Sequence, residues 1–233
     1  MQHMKIDLHA HTIYSDGVDG PETLVARAKA VGLSGVAITD HDSTGGWKRA
    51  IQAGKSLGVH VVPGKEIVIY KKGKDGPVFG EVLALFLQED IKRRFGPLNL
   101  AELFDEIHDQ DALSVIPHPF GDSIRAQEVT GRAERNKLKV DAVEVMNGRC
   151  PAEFNSKSFE YAIKRKLAQT AGSDAHRAEE IGHCYTFVEA NDIEEFRKGI
   201  KRKLSRAIGL QKSPKDVLYH RVMCKLEWIF RKK

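Results

Sequence analysis

Long apolar runs are missing from this sequence. No stretch approaches the roughly 18 to 20 residues that span a bilayer, and the first residues lack the apolar run of a secretory signal, so a cytoplasmic protein without membrane insertion is expected. Cysteine is scarce: Cys150, Cys184 and Cys224 lie far apart and form no Cys-x-x-Cys pair. That spacing suggests neither a disulfide framework nor a zinc finger and favours reduced, partly buried thiols. Internal repeats and low-complexity segments are absent too. What is present is ordinary globular material, 41% apolar and 30% charged over 233 residues, which excludes the low hydrophobicity of a disordered chain. One domain is the simpler expectation at this length, because α/β barrels commonly need it.

The net charge of +5 hides an asymmetry. Residues 197–233 hold 13 Lys and Arg against 2 acidic residues, a balance of +11, so the first 196 residues sum to −6. A basic tail on an acidic body suits an anionic partner such as nucleic acid; a solvated basic helix face is the plainer reading.

Strand-like and helical segments alternate, the pattern of β-α units around a parallel sheet or barrel. Residues 5–9, 35–39, 59–62 with 66–70, 81–87, 113–116, 141–145, 167–171 and 185–188 read as strands, with a turn at Pro63-Gly64. Residues 21–31, 47–57, 100–110, 155–166 and 193–200 read as helices, the first with proline in its first turn and Gly32 after its end. The polar stretch 71–77 predicts a hairpin loop whose return strand is 81–87, although its apolar run also fits a short buried helix. Residues 1–210 are expected to form the barrel domain. Residues 211–233 are expected to form a basic amphipathic helix packed on it, with Leu218, Val222, Leu226 and Ile229 on one face. The alternatives for that helix are contact with nucleic acid or a protein partner and, less favoured, a membrane interface.

Histidine and acidic residues recur where the strands end: Asp7, His9 and His11; Asp16; Asp40 and His41; Glu66; His118; Asp174 and His176. In α/β barrels the loops after the strands line one face, so such residues converge. Imidazole and carboxylate together suit zinc, manganese or iron, whereas an all-oxygen cage suits magnesium or calcium. His9 and His11, two apart, point to the same side of an extended chain, and Asp174 and His176 repeat the spacing. Any one of these residues alone is more simply a surface group or a helix cap. Arg125, Arg149 and Arg177 follow these segments and are candidates to clamp a phosphate, or else plain surface arginines.

The segments D-L-H-A-H-T-I-Y-S-D-G, T-D-H-D, I-P-H-P and G-S-D-A-H, in that order, resemble the motifs of the PHP (polymerase and histidinol phosphatase) superfamily over most of residues 5–190. The closer resemblance is to its compact phosphoesterase branch. The resemblance implies a single-domain, distorted seven-stranded β/α (TIM-like) barrel. It also implies His9, His11, Asp16, His41, Glu66, His118, Asp174 and His176 as ligands of two or three divalent metal ions. Glu81 stands where many relatives carry histidine and can still bind or bridge a metal. Asp7 and Asp40 are expected behind the ligands, each accepting a hydrogen bond from a ligand imidazole. The expected activity is hydrolysis of a phosphate ester by metal-activated water, in a nucleotide or short oligonucleotide. The alternatives are a small-metabolite phosphatase of the histidinol-phosphate type and a non-catalytic nucleic-acid-binding module.

Overall fold

The computed structural model of the protein describes residues 3–71, 76–92, 96–121, 124–210 and 213–231. In chain order the elements are β1 (His3–Asp7), α1 (Pro21–Ala30), β2 (Gly35–Ile38), α2 (Trp47–Leu57), β3 (His60–Tyr70), β4 (Val78–Leu85), α3 (Leu100–Asp109), β5 (Leu113–Ile116) and α4 (Ile124–Arg135). There follow β6 (Ala142–Asn147), α5 (Ala152–Arg165), β7 (Ala168–Gly172), β8 (Cys184–Glu189), α6 (Ile193–Lys201), β9 (Arg206–Gly209) and α7 (Pro214–Arg231).

Strands β1 to β8 pair in sequence, and β1 pairs with β8, so the sheet closes on itself. The barrel has eight strands among the described residues, where seven were expected, and it is mixed. The ladders β1–β2, β2–β3, β5–β6 and β6–β7 are parallel, whereas β3–β4, β4–β5, β7–β8 and β1–β8 are antiparallel. The reason is the hairpin, which inserts β4 against the direction of its neighbours, and β8, which returns to meet β1. Gly172 and Tyr185 form the backbone pair joining β7 to β8. The Thr186 hydroxyl adds to that join by accepting from Ala171 N–H and donating to Ala171 C=O. The short β9 lies antiparallel along β8.

The expected break at Pro63-Gly64 does not interrupt β3. Pro63 pairs with Ile38, the last residue of β2, and Gly64 opens the pairing with β4, so the missing N–H falls where one ladder hands over to the next. Along this hairpin the pleat sorts residues by face. Val62, Leu83 and Leu85 join Met4, Ile6, Leu113, Val115 and Val188 inside the barrel. Ile67, Ile69, Val82 and Ala84 face outward onto Leu100, Leu103, Phe104 and Ile107 of α3. Phe196 and Ile200 of α6 belong to the interior cluster, and α6 follows the antiparallel β8, so it plugs the end of the barrel opposite the site. Burying each large apolar side chain of this core contributes about 1.5–3 kcal/mol.

The helix ends follow their local chemistry. Gly58 takes a left-handed φ of 66° and stops α2, its N–H bonded to Gly54 O. Lys166 does the same after α5 with a φ of 53°. The C-terminal α7 forms, and Val217 in its first turn is buried. However, Leu218, Val222, Leu226 and Ile229, the face expected to pack on the barrel, stand 41–63% exposed. Among the described residues no helix is long and apolar enough to cross a membrane.

Candidate metal centre

Residues just beyond β1 and β7 zip the mouth of the barrel together. His11 N–H donates to Ala175 O (2.7 Å), Asp174 N–H donates to His9 O (2.8 Å), and Ala10 pairs with Ala175. This pairing brings the two-apart spacing of His9 and His11 against that of Asp174 and His176. His41, just after β2, pairs with Glu66 on β3; Glu81 comes from β4, His118 from the end of β5, and Asp16 from the loop following His11.

All nine residues expected as ligands meet here. They form four interlocking groups whose donor atoms lie within 4.8 Å of one another: His11, Asp16, His41 and His176; His9, His11 and Asp174; His9, Glu66 and His118; His41, Glu66 and Glu81. Glu66, 1% exposed, is common to the last two. Its Oε2 lies 3.2 Å from His9 Nε2, 3.2 Å from His11 Nε2 and 3.3 Å from His41 Nδ1, and its Oε1 lies 3.2 Å from His118 Nε2. His9 and His11 are fully buried, whereas Asp16 (44%), His41 (29%) and Glu81 (27%) reach solvent and mark the open side.

The donor chemistry fits divalent cations. Nε2 of His9 and Nε2 of His11 face each other at 3.1 Å, and Nδ1 of His11 and of His41 are buried without a hydrogen bond. A cation shared with the neighbouring carboxylates satisfies such nitrogens. The electrostatics agree. Burial works against a charged His11 ring, but hydrogen bonds to Asp174 and Glu66 outweigh it and push the imidazole up to about 10. His118 rises to about 9 against the same burial cost through its bond to Glu66, and His9 is raised by Glu144, Glu66 and Asp174. Glu66 and Asp174 resist burial because the charge of His9 lies beside each, so both stay well below the usual carboxylate range. Glu81 moves the other way, raised by burial and by the charge of Glu66. The site demands positive charge, and metal ions compete with protons for its nitrogens.

Two buried carboxylates act differently from expectation. Among the described residues, the ring nitrogens of the ligand histidines meet neither Asp7 nor Asp40. Asp7 accepts from the backbone N–H groups of Ser173 (2.8 Å), Gly182 (3.0 Å) and His9 (3.4 Å), and burial pushes its carboxyl up to about 6 against those donors. Asp40 accepts from Thr12 N–H (2.7 Å), Thr12 Oγ1–H (2.8 Å) and Ser15 Oγ–H (2.7 Å), fixing the loop that presents Asp16. Both hold backbone and loop because strand ends leave N–H groups that need acceptors.

The acceptor for a ligand imidazole is Glu144, in the middle of β6. Its Oε1 lies 3.0 Å from His9 Nδ1, and its Oε2 accepts from His118 N–H (3.0 Å) and Asn147 Nδ2–H (2.9 Å). Asn147 Nδ2–H also reaches Asp174 Oδ2 at 3.3 Å. Glu144 and Asn147 stand outside the four motif segments. The signal was a glutamate inside the otherwise apolar run A-V-E-V-M, where a buried charge needs partners. His118 (φ 30°) and Asp174 (φ 53°) adopt left-handed backbone, a strain of about 1–3 kcal/mol each that these bonds sustain.

The arginines divide. Arg149 is 7% exposed and pairs with the buried Glu180 at 3.4 Å, which also accepts from His176 N–H at 2.9 Å. It thus supports the His176 loop. Arg177 is partly exposed and pairs with Glu179 at 3.2 Å; the side chain of Arg125 lies outside the described residues. Of the histidines outside the motifs, His108 bonds Asp141 (2.9 Å) and Ser114 (3.1 Å), and His3 lies against Phe187 with the two rings tilted by 32°.

Residues 7–143 match the family described as PHP domain, and residues 152–203 the one described as PHP-associated. An uncharacterized protein of Methanocaldococcus jannaschii is 35% identical over 196 residues, covering 82% of this chain and 73% of its own. A 5'-3' exoribonuclease of Haemophilus influenzae is 40% identical over 76 residues, 33% of this chain and 28% of the enzyme. Among solved structures, a two-domain protein of Bacteroides vulgatus described as containing a PHP-like metal-dependent phosphoesterase superposes with a TM-score of 0.71 at 20% identity. The match covers 89% of this chain and 65% of that one.

Proposed function

The chain belongs to the PHP domain family, and from that premise we propose that it is a metal-dependent phosphoesterase acting on a nucleotide or a short oligonucleotide. The observation that carries the reading is Glu66, one buried carboxylate in contact with four imidazoles from three strand ends. We assign the nine convergent residues as ligands of two or three divalent ions, of manganese, zinc or iron. Such ions, when bound, lower the pKa of water and neutralise the phosphate oxygens during in-line displacement.

The chain's own residues do the rest. Glu66 sets the spacing between the groups it joins. Glu144 turns His9 so that Nε2 faces the cluster, and Asp40 holds the loop that carries Asp16 at the open side. Arg177, next to His176 in sequence, is the arginine we assign to approach a phosphate. Buried, reduced thiols at Cys150 and Cys184 accord with a cytoplasmic enzyme.

Two observations favour nucleic-acid substrates over small metabolites: the exoribonuclease similarity and the +11 balance of residues 197–233, which can neutralise an extended phosphate backbone. The test is the salt dependence of kcat/KM for a short oligonucleotide, a nucleoside monophosphate and histidinol phosphate. A steep fall with salt for the oligonucleotide alone supports the reading. Preference for histidinol phosphate with a shallow salt response assigns the metabolite role instead.

A further inference from the structure

Glu81 reaches the cluster through the pleat of β4. Leu85 and Leu83 point into the apolar interior, and Glu81, two residues further toward the mouth, continues the same column into the metal centre. There it makes the chemistry uneven. The group His11, Asp16, His41 and His176 offers three imidazoles and one carboxylate, whereas His41, Glu66 and Glu81 offer one imidazole and two carboxylates. Of the four groups among the described residues, only this last is richer in oxygen than in nitrogen.

Imidazole suits zinc and iron, and carboxylate with water suits manganese and other hard ions that keep part of their hydration. Glu81 and His41 are 27% and 29% exposed, so solvent can complete a coordination shell on that side; His9 and His11 are sealed. The two environments adjoin at His41, whose Nδ1 lies 3.3 Å from Glu66 and whose Nε2 lies 3.8 Å from Asp16.

We propose that Glu81 is a metal-specificity residue: it makes the His41–Glu66–Glu81 position selective for a hard divalent ion such as manganese, beside imidazole-rich positions that hold zinc or iron. This rests on the metal-centre reading above and deepens it. The protein is then a mixed-metal enzyme with two grades of affinity. The imidazole-rich positions are filled tightly, and the oxygen-rich one is filled by whichever hard ion is abundant.

The test uses binding alone. Metal-stripped full-length protein is dialysed against zinc and manganese together, and bound metals are counted by elemental analysis, with manganese affinity read from the spin-resonance signal of the free ion. Wild type is expected to hold both metals. Glu81→Gln, which keeps the shape and removes the charge, should weaken manganese roughly tenfold or more while zinc content stays. Glu81→His, which keeps a donor and changes its softness, should exchange manganese for additional zinc. A zinc-to-manganese ratio unaltered in Glu81→His, with native circular dichroism, overturns the specificity role and leaves the metal centre standing. A wild type that binds neither metal overturns the metal-centre reading itself.

Discussion

At His9 both ring nitrogens meet carboxylates, Glu144 on the Nδ1 side and Glu66 on the Nε2 side. A carboxylate that accepts from Nδ1–H fixes the tautomer and the ring angle, and losing such a partner typically costs 10- to 100-fold, as an order of magnitude, in metal affinity. Glu144→Ala is therefore expected to weaken metal binding by about that factor in chelator competition. An unchanged affinity would mean that packing alone orients the ring. Gly172 guards the same ring from below: a Cβ there would fall 2.3 Å from His9 Cβ and 2.6 Å from His9 N. Gly172→Ala should lower the melting temperature, consistent with overpacking of about 1–3 kcal/mol, and reduce metal content as well. Full metal loading in that variant would show that the mouth yields more readily than the packing suggests. The ligands were legible in the sequence because polar residues at strand ends stand out from apolar strands. Glu144 was not, because one glutamate within a strand declares its role only when the partners from β1 and β5 are in place.

Among the elements, α6 is held by charge as well as by its buried face. Arg197 bonds Glu194 (2.7 Å) on its own helix and Asp111 (2.7 Å) in the turn before β5, and Lys201 also pairs with Asp111. The bond from Arg197 holds Glu194 down to about 2. The folded value lies below the unfolded one of about 4.3, so the stabilisation is fully present above that pH and is lost as pH falls toward 2. Arg197→Met, which keeps the buried stem, should melt slightly below wild type at pH 7, because exposed pairs contribute only about 0–1 kcal/mol. The gap should close in acid. A gap that persists once both Glu194 and Asp111, the other carboxylate that Arg197 holds low, are protonated would assign the loss to packing. Helices with strong apolar period, such as α2 and α6, were readable from sequence. The helix α4 was not, because Val129, Thr130 and Gly131 within it carry weak helix propensity. The four-residue β9 has too few positions to show alternation.

For the whole molecule, a barrel was legible from alternating elements, and the four motif segments pointed to its family. The hairpin direction of β4 was legible from the polar stretch 71–77, whereas strand number and the direction of β8 were not, since β8 meets β1, its partner at the far end of the sequence. The tail poses a separate question. The apolar residues of α7 that stand exposed contribute little to the barrel, and the basic balance of residues 197–233 suits an anionic ligand. Removing residues 211–233 should leave metal content and melting temperature near wild type while weakening oligonucleotide binding and flattening its salt dependence. A large loss of stability would instead assign α7 a structural role.

We propose the cluster around Glu66 as a catalytic metal centre. The most direct measurement is product release from an oligonucleotide and from nucleotide monoesters by metal-stripped protein, with and without added manganese, beside folded His9→Ala. A catalytic metal centre gives turnover that appears with metal and is lost in the variant. Equal turnover in stripped and loaded protein, or full turnover in His9→Ala, would contradict it.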